Sequence, residues 1–64
     1  MLRLIQRSFL RQLPDGQERI SLECEVLGGS VVATGFTYFC GCTKDNIDEY
    51  IEFLKEVKIA FNEA

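Results

Sequence analysis

The sequence predicts an α+β fold: a three-stranded antiparallel β-meander with one C-terminal α-helix packed on one face (β-β-β-α). Three observations carry the prediction. Residues 20–26 alternate apolar and polar at a period of two, residues 47–61 place apolar side chains at helical spacing, and glycine-bearing turns divide the chain before and after the alternating run. With 64 residues, 47% hydrophobic and 27% charged, the chain forms a single small domain, 1–64, of globular composition. A domain of this size buries only about 60% of the surface its unfolded chain exposes. Such domains recruit disulfides, a metal or a second copy of themselves.

The first segment, residues 2–13, admits two readings. As a helix, Leu2, Ile5, Phe9 and Leu13 share one side and Arg3, Arg7 and Arg11 another; as a strand, neither face is cleanly apolar. The turn that follows favours the strand. Pro14-Asp15-Gly16 suits a hairpin with a type I turn and a glycine bulge, which pairs Leu13 with Gln17 and sets Arg7 opposite Glu23.

The second segment is the plainest strand, since Ile20, Leu22, Cys24 and Val26 alternate with Ser21, Glu23 and Glu25. Gly28-Gly29 then signals a hairpin. The third segment, Val31 to Cys40, is rich in β-branched and aromatic residues and apolar on both sides: Val32, Phe36, Tyr38 and Cys40 on one, Val31, Ala33 and Phe39 with Gly35 and Gly41 on the other. A strand apolar on both faces calls for cover on both. One helix covers one. In the order 1-2-3 this strand lies at an edge, and from Val31 to Cys42 it has neither charge nor proline to blunt it. The face away from the helix exposes either Phe36 with Tyr38 or Phe39, according to whether the Gly28-Gly29 loop has three residues or two.

The last segment predicts a helix over about 46–61. Ile47, Tyr50, Ile51, Leu54, Val57 and Phe61 form one stripe, with Ile51 and Leu54 at its centre and Phe53 at its margin; Asp48, Glu49, Glu52, Glu56 and Glu63 gather opposite. Asn46 followed by Glu49 has the spacing of a capping box.

Charge and chemistry narrow the function. Residues 1–20 carry four arginines against Asp15 and Glu18, whereas residues 21–64 carry three lysines against eight acids, within a net charge of −3. That balance argues against a phosphate-binding surface and so against nucleic acid. The chain has no histidine, which removes the usual general base, the Ser-His and Cys-His pairs and the commonest metal ligand. Gly28-Gly29 opens no helix and brings no lysine, so it is not a phosphate loop. The reading is no enzyme and no cofactor.

Three cysteines are an odd number, and Arg3, Arg7 and Arg11 interrupt any signal-peptide core, so the expected compartment is cytoplasmic and reducing. No apolar run approaches the roughly 20 residues that span a bilayer. Cys24, Cys40 and Cys42 could meet across the sheet as a three-thiolate metal or redox site, although packing as small hydrophobes accounts for them too. A small-ligand sponge built by an oligomer is a further alternative.

Ile20 to Gly29, Ala33 to Tyr38 and Asn46 to Val57 together resemble the strand, strand, helix half of small bacterial immunity-type proteins. The resemblance covers Arg19 to Ala64 and implies an acidic surface that blocks a partner protein. The functional expectation is a non-catalytic protein-binding module, an inhibitor or neutraliser of immunity or phage anti-defence type. Its binding residues are expected on the acidic helix face, Glu49, Glu52, Glu56 and Glu63, and at the aromatics Phe36, Tyr38 and Phe39. A homodimer is expected through the edges of strand three or through sheet faces, with the helices turned outward.

Overall fold

The structure, a computed structural model, describes residues 2–35 and 41–63. Three antiparallel strands form one open sheet in the order β1-β2-β3, and one helix follows. The elements are β1 (Leu2–Leu13), β2 (Gly16–Leu27), β3 (Ser30–Thr34) and α1 (Ile47–Asn62). Phe36, Tyr38, Phe39 and Cys40 lie outside the described residues, and with them the expected continuation of the third strand.

The first hairpin corrects the expected register. Leu13 pairs with Gly16, not Gln17, so the loop is Pro14-Asp15 alone, and Arg7 lies opposite Leu22, not Glu23. A one-residue slip turns every side chain of a strand to the other face. Arg3, Ile5, Arg7, Phe9 and Arg11 therefore share the face of Ile20, Leu22, Cys24 and Val26. The second hairpin has a two-residue loop, with Leu27 paired to Ser30. Gly28 has φ +62°, a left-handed conformation that glycine adopts without Cβ strain. One further residue, Val32, is accommodated as a bulge opposite the Glu25–Val26 step.

Helix α1 lies across β1 and β2 and leaves β3 bare. The dimensions explain this: a helix about 10 Å wide covers two strands spaced about 4.8 Å apart. The core comprises Ile5, Ile20, Leu22, Cys24 and Val26 from the sheet and Tyr50, Phe53, Val57 and Ala60 from the helix, with Phe9 and Cys42 packed against it. The Phe9 and Tyr50 rings meet edge to face at 5.5 Å.

The helix presents a different side from the one expected. Phe53, placed at the margin by its spacing, is 6% exposed, whereas Leu54 and Ile51, expected at the centre, are 56% and 41% exposed. The capping box is also corrected. Asn46 makes no side-chain bond to the helix; its Oδ1 accepts the Thr43 N–H at 2.8 Å and its Nδ2 donates to the Gly41 carbonyl at 3.0 Å. Buried among the core-facing residues, Asn46 ties down the loop that enters the helix.

The molecule is elongated, 43 × 18 × 15 Å, with a radius of gyration of 12.9 Å against roughly 11 Å for a compact chain of 64 residues. Its accessible surface is 4695 Å², above the roughly 4,200 Å² typical of a folded 7.3 kDa monomer.

Candidate functional site

The surface of α1 carries the acidic residues expected to bind, and the sheet neutralises much of their charge. Arg7 Nε donates to Glu49 Oε2 at 2.7 Å, Arg3 pairs with Glu63, and Lys55 Nζ lies 3.3 Å from Glu52 Oε1. Glu56 has no ion-pair partner among the described residues and borders a shallow recess with Arg3, Leu4, Gln6 and Ile59. Three of these four carboxylates are thus engaged in ion pairs, and Glu56 is not. Each pair is partly exposed, so it is worth about 0–1 kcal/mol and is weakened by salt.

Two apolar surfaces stand out instead. Eleven large apolar side chains are exposed among the described residues against nine buried apolar residues, an excess of uncovered surface for so small a domain. The first surface is the outer side of α1, where Ile47, Ile51, Leu54 and Phe61 lie in one row. The sequence displayed this row; its apolar content led it to be read as core, because helical spacing does not say which side meets the sheet.

The second surface is the open face of the sheet. Leu2 lies directly opposite Leu27, and Leu4 lies opposite Glu25, which in turn pairs with Ala33 of β3. All three leucines are exposed. Beside them, Leu4, Glu23, Glu25, Ala33 and Gly35 border a shallow hollow of about 230 Å³. Glu23 accepts a hydrogen bond from Gln6 Nε2 at 3.0 Å, and its backbone carbonyl accepts the Gly35 N–H at 2.9 Å. Toward the first hairpin the face is mixed, with Gln6, Ser8, Ser21 and Arg19 beside exposed Leu10, and Arg19 Nη1 donating to Ser8 Oγ at 3.2 Å. Sequence reasoning missed this cluster because the expected register set Leu4 opposite Val26 and so placed Leu2 and Leu4 on the face of Ile20, Leu22, Cys24 and Val26.

The loop before the helix closes the other end of the core. Gly41 lies against the core here: a Cβ built on it would come within 2.9 Å of Arg11 Nη1, the mobile end of that side chain, and 3.4 Å of Ile20. Arg11 Nη2 pairs with Glu18 Oε2 at 2.6 Å, while its buried Nε has no acceptor. Cys24 is buried and its thiol pKa is pushed up by desolvation; Cys42 is half-buried against the core. Neither is in a disulfide, and Cys40, the third member of the conceivable thiolate site, lies outside the described residues. Among the described residues no helix is long and apolar enough to cross a membrane.

Comparison with protein-family models, with curated proteins and with solved structures finds no match to this chain. The immunity-type resemblance therefore stands on the order of its elements alone.

Proposed function

We propose that the domain binds a protein, without catalysis, through the open face of its sheet, and acts by occluding that partner. The observation that carries the proposal is the exposed cluster Leu2, Leu4 and Leu27 beside Glu23 and Glu25, on the sheet face that the single helix does not cover. Burial of the leucines would supply affinity, while the two carboxylates would favour a partner whose apolar patch is rimmed by lysine or arginine. The net charge of −3 points to the same kind of partner. Occlusion of this kind is what an inhibitor or neutraliser of immunity or anti-defence type performs. It needs no cofactor, and the unpaired thiols Cys24 and Cys42 suit a reducing cytoplasm.

The test is a photoreactive phenylalanine analogue at Leu4, installed in producing cells. The expected result is one discrete protein adduct that Glu25→Lys abolishes, with no adduct from the same group at Gln17 on the hairpin tip. No adduct at Leu4, or the same adducts at Gln17, would remove the reading. An adduct of only twice the chain mass would do so as well, because a second copy would then occupy the sheet face.

A further inference from the structure

We infer that a second copy of this chain covers the outer face of α1, with the two helices packed antiparallel. Ile47, Ile51, Leu54, Lys58 and Phe61 follow one another at intervals of four, three, four and three residues. This is the spacing of the a and d positions in a helix that packs on another helix. The apolar members are exposed, although a solvated helix face is ordinarily polar. The row lies roughly 100° round the helix from the side that meets the sheet, so filling it leaves the core undisturbed.

A second copy is favoured by charge. Lys58 occupies one seam position, and Asp48 flanks the seam in the first turn of the helix; neither has an ion-pair partner among the described residues. In a parallel pair Lys58 would face its own copy at close range, an arrangement of like charges that destabilises. In an antiparallel pair related by a two-fold axis near Phe53, Lys58 moves toward the start of the partner helix and meets Asp48 there. The two residues are ten apart, about 15 Å along the helix. The symmetry makes the contact twice, and the surface completes itself. Ile51 and Leu54 then form the middle of the interface.

The size of the domain points the same way. Its accessible surface of 4695 Å² exceeds what its mass requires, and self-association is the remedy open to a domain with a small core and no described disulfide. This seam differs from the one expected from sequence along strand three; within its described residues β3 is bulged, a feature that blunts an edge. The helices of the dimer face each other, not outward, and the open sheet faces remain free.

Sedimentation equilibrium at micromolar concentration should give twice the 7.3 kDa chain mass. Leu54→Glu should give a monomer with unchanged helical circular dichroism. Lys58→Asp alone should raise the dimer dissociation constant at least tenfold, and adding Asp48→Lys should recover most of that loss. A monomeric parent, or a Leu54→Glu protein still dimeric, would overturn the inference. Failure of the charge exchange to restore pairing would overturn the antiparallel arrangement. The Leu4 adduct described above persists in Leu54→Glu, so the failure of one proposal is distinguishable from the failure of the other.

Discussion

Helix α1 carries two apolar rows, and only one of them meets the sheet. The inner row is Tyr50, Phe53, Val57 and Ala60; the outer row is Ile47, Ile51, Leu54 and Phe61. Hydrophobicity does not decide which row is buried. Their flanks do, because Glu49 and Glu63 border the inner row and reach Arg7 and Arg3 on the helix-facing side of β1. Rotating the helix to centre Ile51 and Leu54 on the sheet would carry both glutamates away from those arginines and leave the arginines beside the core without partners. The inner row also includes the small Ala60, buried in the core, while Tyr50 meets Phe9 edge to face. The comparison teaches that the rotation of an amphipathic helix is set by which polar residues border each apolar side, when both sides are apolar enough to bury.

The largest expected effect separates the two rows directly. Phe53→Ala should cost about 3–5 kcal/mol, the usual range for deleting a core aromatic. A domain of this length has roughly 3–10 kcal/mol of total stability, so Phe53→Ala should be largely unfolded by circular dichroism at 25 °C. Leu54→Ala, compared in urea melts dilute enough for monomers, should change stability by less than about 0.5 kcal/mol. Equal effects of the two substitutions would abolish the distinction.

A smaller effect concerns the loop that delivers the helix. Asn46→Ala leaves the Thr43 N–H and the Gly41 carbonyl without their side-chain partner, and should cost about 1–3 kcal/mol in the same melts. Were Asn46 instead a helix cap, Asn46→Asp would be harmless. Here Asp cannot donate to Gly41, so Asn46→Asp should be destabilising as well.

Arg7→Ala should cost about 0–1 kcal/mol, and the difference from the parent should shrink in molar salt, because the pair with Glu49 is partly exposed. If this pair helps to set the rotation, Arg7→Ala should also raise the hydrogen-exchange rate of α1 more than Lys55→Ala does, although Lys55 too loses an ion pair.

The thiols give the mildest effect. Burial raises the Cys24 pKa above its ordinary 9.0, so the folded chain retains this proton where the unfolded chain loses it. Stability should be insensitive to this group below about pH 8 and should fall as pH rises through and beyond 9. In Cys24→Ser that contribution to the alkaline slope should disappear. Toward a thiol reagent at neutral pH, half-buried Cys42 should react before Cys24.

The three-strand and one-helix order was legible because β2 alternates strictly, Gly28-Gly29 marks a turn, and residues 47–61 are periodic. The register of the first hairpin was not legible. Pro14-Asp15-Gly16 is compatible with a two-residue or a three-residue loop, and the two choices put the arginines of β1 on opposite faces. That single ambiguity hid the Arg3–Glu63 and Arg7–Glu49 pairs, and with them the rotation of the helix. Asn46 misled for a different reason. Its spacing to Glu49 fits a cap, but two backbone groups of the preceding loop compete for the same side chain. The acidic character of Glu49, Glu52, Glu56 and Glu63 was plain in the sequence, whereas the pairing of Glu49 with Arg7 and of Glu63 with Arg3 depended on residues more than forty positions away. The open-face leucines required the cross-strand pairing of Leu2 with Leu27 to become a cluster.

On the pairing inferred above, the inner row of α1 builds the domain and the outer row joins two copies of it. Isotope-filtered nuclear Overhauser spectra of an equal mixture of labelled and unlabelled chain test it most directly. Intermolecular cross-peaks among the methyl groups of Ile47, Ile51 and Leu54, with none from Val57, are the predicted result. Intermolecular cross-peaks confined to Val31, Val32 or Leu4, or none at concentrations where the chain sediments as a single species of 7.3 kDa, would contradict it.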